Sequence, residues 1–170
     1  MSEVGIPEPW LRGTLADVAA VPRAVLHALE LAHEDLTRWC GGLSDAELNA
    51  RPDGIAPVAF HMRHIARSID RLLSYAEGKR LDDSQIAALQ SELDPNATRA
   101  ELFAELETAL GRAAVRIRPF AANRLQEARP VGAKLLPTTV AGLLVHVAEH
   151  TQRHVGQAIT TAKIVTARRG

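Results

Sequence analysis

Apolar residues recur at steps of three and four along four long stretches of the chain. This spacing places them on one side of an α-helix and predicts four amphipathic helices. Proline, glycine and capping residues mark where each pattern begins and stops, as they do at helix ends. The predicted helices run from Pro22 to Gly41, from Pro57 to near Gly78, from Thr98 to Pro119, and from Thr138 or Thr139 to about Ala167.

Shorter patterns occupy the connections between these helices. Ser44 and Glu47 have the spacing of a capping box, which predicts a short helical turn after the first long helix. Residues 86–93 predict one more short helical piece in an otherwise polar stretch. Several prolines and glycines interrupt residues 118–137, so we predict a loop that crosses the bundle there. Residues 1–20 show no sustained period and are assigned to a lead segment.

Four long amphipathic helices favour an all-α fold, a four-helix bundle. We predict the up-down-down-up type, with the long connection lying before the last helix. Aromatic residues make up only 4% of the chain, and alanine and leucine supply much of the apolar fraction, which suits helices better than strands. The length of 170 residues favours a single domain over residues 1–170.

The charge balance argues against some classes of partner. Twenty Lys and Arg cancel twenty Asp and Glu, so no excess charge attracts a nucleic acid or an anionic membrane over long range. The sequence shows no signal-peptide pattern and no apolar run near the roughly 20 residues that a membrane-spanning helix needs. We therefore expect a cytoplasmic protein. Its single cysteine, Cys40, cannot form an internal disulfide and is interpreted as a small buried hydrophobe rather than a nucleophile.

Five of the seven histidines fall in two clusters. The last predicted helix carries His146, His150 and His154, each four residues after the one before. Side chains four apart on a helix have Cβ atoms roughly 6 Å apart, so two of these imidazoles can reach one divalent ion. His27 and His33 share no such spacing, and we expect neither to belong to a site.

The second cluster, His61 and His64, lies on the second predicted helix beside its apolar stripe. One histidine from this helix and two from the last would give a metal ion three nitrogen ligands. Such a set leaves a coordination position open for water or substrate, as catalytic sites do. The residues alone leave open which of the two contributes. We expect the charged residues on the other side of this helix to face solvent, namely Arg63, Arg67, Asp70 and Arg71.

The last predicted helix also contains a distinctive run, which ends as His150-x-x-x-His154-x-Gly156-Gln157. On the second helix, Gly78 follows His64 after fourteen residues. Together with the order of four long helices over nearly the whole chain, these features resemble the DinB-like superfamily, a group of small four-helix-bundle metalloproteins.

The resemblance implies a metal triad of His64, His150 and His154. It also implies a divalent metal ion as cofactor, with zinc or nickel favoured. His61 competes with His64, because a helical wheel places His61 nearer the apolar seam. His146 is a further alternative, because its spacing from His150 also suits chelation. Gln157 and Glu149 are the candidates to orient a ligand imidazole through its other nitrogen.

The resemblance implies chemistry as well, since some members of the superfamily resemble bacillithiol- or mycothiol-type S-transferases. In such a reaction a metal-bound thiolate is presented to an electrophile, so the expected partners are a small-molecule substrate and a low-molecular-weight thiol. Two alternatives stay open, a metal-dependent hydrolase and a non-catalytic metal- or ligand-binding bundle. A homodimer is also expected to be feasible, because long bundle helices often leave an apolar face for a second copy.

Overall fold

The computed structural model describes residues 6–169. Most of this part of the chain is helical, and the helices are joined by short turns and one small hairpin. The helices are α1 (Ala20–Cys40), α2 (Asp45–Asn49), α3 (Val58–Ala76), α4 (Asp83–Gln90), α5 (Arg99–Ile117) and α6 (Val140–Ala167), and the strands are β1 (Ala128–Val131) and β2 (Leu136–Thr139). Single turns of 3-10 helix lie at Pro9–Leu11, Pro52–Gly54 and Ala122–Arg124.

The ends of the long helices follow signals that the sequence carries. α5 begins after Thr98, whose side-chain oxygen accepts a hydrogen bond from the backbone N–H of Glu101. α6 begins after Thr139, whose side chain accepts one from the N–H of Gly142. Beyond the end of α3, Gly78 has a φ of +79°, in the left-handed region that glycine adopts without strain. The four predicted long helices, here α1, α3, α5 and α6, are confirmed.

These four helices form a bundle in which α6 packs between α1 and α3, and α5 packs on the other side of α3 and against α1. α3 runs antiparallel to α6 and parallel to α5, while α1 runs antiparallel to α5, so the predicted up-down-down-up arrangement is confirmed. Two contacts at or beside each pair of helices fix these directions. For α3 and α6 they join His61 with His154 and Ala56 with Thr161, and for α3 and α5 they join Arg67 with Glu105 and Glu77 with Arg116. For α1 and α5 they join His33 with Glu107 and Asp17 with Arg118.

The core lies where the apolar stripes of the four helices meet. Each helix contributes side chains with no measurable exposure, among them Leu36 of α1, Ile65 of α3, Leu106 of α5 and Leu144 of α6. Burying a leucine or isoleucine side chain stabilises the folded state by about 1.5–3 kcal/mol. The core therefore holds α3 and α6 side by side in a fixed register, which positions the histidines described below.

The predicted loop over residues 118–137 is only partly a loop, because it contains β1 and the start of β2. Pro130 and Pro137 lie opposite each other in this antiparallel pair. Prolines have no N–H, and a facing pair of them fits a position where opposite residues exchange no hydrogen bonds. The backbone N–H of Val140 donates to the carbonyl of Glu127 at 3.0 Å, which joins the hairpin to the start of α6.

The short helix α4 begins a few residues before the predicted piece at 86–93. Asp82 caps it and forms a capping box with Gln85, which fixes the first turn at this point. The side-chain amide of Gln85 donates to the hydroxyl of Ser74 at 2.9 Å. This contact fastens α4 to the outer side of α3.

The expectation that one side of α3 faces solvent is wrong. Arg67 donates from Nε to Glu105 of α5 at 2.6 Å and also to the carbonyl of Ala88 on α4 at 2.7 Å. The Arg71 side chain is only 11% exposed and forms an ion pair with Glu92. Polar spacing on a helix looks the same whether the charges face water or partners on other elements, so the pattern did not distinguish the two. The four residues for which solvent was predicted, Arg63, Arg67, Asp70 and Arg71, are all partly covered.

Candidate metal centre

Three histidine side chains from α3 and α6 converge in the seam between these helices. Nε2 of His64 lies 2.7 Å from Nε2 of His150, and the ring centroids of His64 and His154 are 4.4 Å apart. One ring nitrogen from each of the three residues lies within 4.8 Å of the other two. All three side chains are partly buried. The arrangement can place three nitrogen ligands around one ion.

The local structure explains why these three residues meet. His150 and His154 are one turn apart on α6 and so lie on the same side of that helix. Because α3 runs antiparallel to α6, His64 reaches the level of His150 while His61 reaches that of His154. Phe60, one turn before His64, stacks on its ring with centroids 5.4 Å apart and planes inclined by 24°. This contact limits the ring orientations open to His64.

Glu92, just beyond α4, holds the outer nitrogen of His64. Its Oε2 lies 2.6 Å from Nδ1 of His64, and its Oε1 accepts a hydrogen bond from Arg71 at 2.8 Å. Burial acts to raise the pKa of Glu92, but the hydrogen bonds and charges of His64 and Arg71 outweigh it and hold the pKa below its ordinary value. An ionised carboxylate only accepts, so His64 donates from Nδ1 and its Nε2 lone pair faces the cluster.

His61 lies behind the cluster instead of within it. Its side chain is buried, and its Nδ1 lies 3.0 Å from Nδ1 of His154. The group of three nitrogens includes His64 and not His61. His61 is placed to hold one nitrogen of His154 and so direct the other toward the cluster, in the way that Glu92 acts on His64.

His146 lies at the outer end of the histidine row on α6. Its ring centroid is 5.2 Å from that of His150, its side chain is 42% exposed, and its Nδ1 lies 2.6 Å from Oε1 of Glu149. Glu149 therefore contacts His146 rather than one of the three clustered histidines, and Gln157 is exposed. The orienting contact expected from Glu149 or Gln157 is made by Glu92.

Burial keeps the imidazoles of His150 and His154 neutral at neutral pH. Burial, together with the charges of neighbouring histidines and of Arg153, lowers the pKa of His150 and of His154 to about 4. Burial, with the charges of His154 and His64, lowers the pKa of His61 to about 4 as well. Neutral imidazole is the form that binds a metal, so no proton competes for the lone pairs of His150 and His154 at neutral pH.

A test of fit comes from Nδ1 of His150, which is fully buried and has no hydrogen-bond partner in residues 6–169. A buried polar nitrogen without a partner costs about 1–3 kcal/mol. A metal ion bound through Nδ1 would offset this cost, whereas one bound through Nε2, the nitrogen that lies against His64, would leave Nδ1 unpaired. Three imidazoles, two of them with an outer nitrogen already held, are also the donor set that suits zinc and nickel. The residues present fit a divalent ion of this kind.

A family model described as the DinB superfamily matches residues 28–158. The chain belongs to the DinB superfamily. A conserved protein from Enterococcus faecalis has a similar structure, with a TM-score of 0.72 and 20% sequence identity over 88% of this chain and 99% of that one. YfiT from Bacillus subtilis is described as a probable metal-dependent hydrolase with an unusual four-helix bundle topology. Its TM-score is 0.64, with 16% identity over 85% of this chain and 87% of that one. A search of curated proteins finds no significant match.

The structure of this DinB protein also bears on one other sequence prediction. Across residues 6–169, we find no helix that is both long enough and apolar enough to cross a membrane.

The position of Glu92 was missed by sequence reasoning. It lies 28 residues from His64, outside any helical spacing, in the short helical piece predicted at residues 86–93, whose pattern does not indicate a contact with the second long helix. A buried acidic residue beside a histidine helix is apparent only once α4 is placed on α3.

Proposed function

We propose that this DinB protein binds one divalent metal ion, zinc or nickel, through His64, His150 and His154. The observation that carries the proposal is the convergence of three imidazole nitrogens, with Glu92 holding the outer nitrogen of His64. Three protein ligands leave at least one coordination position for a small molecule, whereas structural zinc sites are closed by four. The proposed site is therefore of the catalytic type.

The proposed reaction is transfer of a low-molecular-weight thiol to an electrophilic small molecule. A divalent ion at these histidines would lower the pKa of a coordinated thiol, or of coordinated water, so that it reacts as the anion. In the transfer, the thiol sulfur forms a bond to the electrophilic carbon, the leaving group departs with the electron pair of the broken bond, and the thiol proton passes to solvent. His64, His150 and His154 fix the point at which sulfur and electrophile meet.

The carboxylates near the histidines favour thiol transfer over hydrolysis. Glu92 is buried and already paired with His64 and Arg71, and Glu149 is paired with His146. A hydrolase commonly uses a free carboxylate to take the proton of the attacking water. Neither Glu92 nor Glu149 is free for this role, because both are engaged in other contacts. A metal-dependent hydrolase is the second candidate, because the similarly folded YfiT is described as a probable one.

A cytoplasmic location and a homodimer stay predictions from the sequence.

Metal analysis tests the first part of the proposal. Protein purified from medium supplemented with zinc or nickel should carry close to one ion per chain, and the double variant His150→Ala/His154→Ala should carry almost none. His33→Ala is the matched control, because this partly exposed histidine of α1 lies outside the cluster and should leave the metal content unchanged. Equal metal content in the wild type and the double variant would contradict the proposal.

A thiol assay tests the second part. With cysteine or glutathione and 1-chloro-2,4-dinitrobenzene, the metal-loaded protein should release chloride and consume thiol faster than the double variant does. Thiol-independent cleavage of p-nitrophenyl acetate, lost in the same variant, would instead indicate the hydrolase. If neither reaction depends on the histidines while the metal still raises the melting temperature, the protein is a non-catalytic metal-binding bundle.

A further inference from the structure

A large open cavity lies between the end of α3, the start of α4 and the β-hairpin. Its volume is about 710 Å³, within the range of sites that hold drug-sized molecules. It is separate from the three histidines, because Tyr75 in its wall follows His64 by eleven residues, which is about 16 Å along a helix. The proposed function leaves this cavity without a role.

Gly78 shapes the cavity, and it is the glycine that the sequence singles out after His64. Its left-handed backbone turns the chain at the end of α3, and the backbone N–H of Lys79 donates to the carbonyl of Ser74 at 2.8 Å across the turn. A Cβ at Gly78 would contact the guanidinium of Arg129, from 3.7 Å. The turn thus directs Lys79 and Arg80 over the cavity while the hairpin closes the other side.

The charge of the cavity wall is positive. Lys79 and Arg80 line it, and its lining within residues 6–169 includes no carboxylate. Lys79 is paired with Glu77, but Arg80 is exposed and has no ion-pair partner in the described chain. Lys134, next to the lining residue Ala133, is exposed as well. Arg80 is therefore available to an anionic ligand.

The end of the α3 helix does not cancel this charge. The last carbonyl groups of a helix carry partial negative charge when they have no donors. Here the carbonyl of Ala76 accepts a hydrogen bond from Nε of Arg129 at 2.9 Å, and that of Tyr75 accepts one from Gly78 at 2.9 Å. The carboxylate of Asp82 is likewise turned to the start of α4, where it accepts from Gln85 and Ser84.

The remaining lining is apolar and partly open to solvent. Leu135 of the hairpin is 61% exposed and Ile86 of α4 is 45% exposed. Tyr75, Leu81 and Pro130 complete this part of the wall. Single exposed apolar residues are common on protein surfaces, but several around one concave site next to a free cation are a feature of ligand sites.

We propose that this cavity binds a small organic anion with an apolar body, whose acidic group contacts Arg80 and Lys79 and whose body packs on Tyr75, Ile86 and Leu135. The chemistry required of the ligand is a carboxylate, sulfonate or phosphate joined to an aromatic or aliphatic group. The site is independent of the metal proposed at the histidines.

Titration calorimetry with a pair of probes tests the proposal. Naphthalene-1-sulfonate should bind with a stoichiometry of one per chain, and the neutral 1-naphthalenemethanol should bind at least about tenfold more weakly, because it lacks the charge-assisted contact. Lys79→Gln/Arg80→Gln should weaken sulfonate binding by about tenfold, and the charged and the neutral probe should then bind with more similar affinities. Ala133→Trp, which fills the cavity, should abolish binding of both.

Two control variants separate this site from others. Arg112→Gln removes an exposed arginine of α5 outside the cavity and should leave the affinity within about twofold. His150→Ala/His154→Ala should also keep sulfonate binding, so loss of the metal and failure of this proposal are distinguishable. Equal affinity for the two probes, or unchanged affinity in Lys79→Gln/Arg80→Gln, would overturn it. So would sedimentation showing a dimer that Ala133→Trp dissociates, because a second copy would then cover the cavity.

Discussion

Nδ1 of His64 lies 2.6 Å from Oε2 of Glu92, while the other oxygen of the same carboxylate accepts from Arg71. One buried glutamate thus joins the histidine cluster to the polar network on the other side of α3. The contact sets the tautomer of His64 and directs its Nε2 toward His150. The metal proposed for this cluster would depend on Glu92 although Glu92 is not a ligand.

Glu92→Gln should weaken metal binding about 10- to 100-fold, the usual cost of losing an outer-shell partner of a metal ligand. The amide can still accept from Nδ1 of His64, but it lacks the charge that stabilises the ligating ring. Competition with a chromophoric chelator measures the affinity. Glu105→Gln, which removes the charge of the ion-pair partner of Arg67 on α3, is the control and should keep wild-type affinity. Identical affinities for Glu92→Gln and wild type would exclude the role.

His61 and His64 should differ sharply in their effect on metal content, although both are on α3 and both contact histidines of α6. His64→Asn removes a member of the cluster and should abolish stoichiometric binding. His61→Asn removes a buried residue behind His154 and should lower the melting temperature while one ion per chain is retained. Elemental analysis of the folded variants measures both. Loss of the ion in His61→Asn alone would mean that His61 is the ligand.

The sequence predicts the parts of this site that depend on helical spacing. The step of four residues between His150 and His154 already places two imidazoles together, and the resemblance to the DinB-like superfamily selects His64 over His61. Glu92 was not predictable, because its contact depends on how α4 docks onto α3. The hairpin was missed for a related reason, since Pro130 and Pro137 disfavour a strand individually but are compatible with it when they face each other.

Cys40 should be unreactive in the folded protein. Its side chain is completely buried, and burial raises the pKa of its thiol to about 11, so almost no thiolate exists at neutral pH. Titration with a chromogenic disulfide reagent should detect no thiol in native protein and one per chain in denaturant. Rapid reaction of the native protein would show that Cys40 can take part in thiol chemistry, and the prediction that it is a small buried hydrophobe would then be wrong.

Glu47 should make stability depend on pH in the acid range. The hydrogen bond from Arg169, with those from Ser44, lowers the pKa of Glu47 to about 2. Because the folded pKa lies below the unfolded value of about 4.5, the contribution is present above pH 4.5 and is lost as pH falls toward 2. The stability difference between wild type and Glu47→Gln, from urea unfolding, should shrink over this interval. Glutamine still suits the capping box, so the substitution tests the charge.

The matched control for Glu47→Gln is Glu107→Gln, on the exposed surface of α5. Within residues 6–169 the one ion-pair partner of Glu107 is His33, at 3.8 Å, and the Glu107 side chain is 62% exposed. Its substitution should change the free energy of unfolding little at any pH between 5 and 2. A pH dependence as large as that of Glu47→Gln would show that net charge, rather than the contact with Arg169, governs acid stability.

Two glycine substitutions should change the free energy of unfolding in opposite directions. Gly78 has a φ of +79°, where an alanine is strained by about 1 kcal/mol, so Gly78→Ala should destabilise the protein by about that amount. Gly111 lies inside α5, and a Cβ there would meet open space. Gly111→Ala should therefore stabilise the helix by about 0.5–1 kcal/mol. Urea unfolding measures both.

Because Gly78 also turns Lys79 and Arg80 over the cavity, Gly78→Ala should weaken naphthalene-1-sulfonate binding, whereas Gly111→Ala should leave it unchanged. A Gly78→Ala protein with wild-type stability would show that the turn tolerates a side chain and that the left-handed backbone is not what positions these cations.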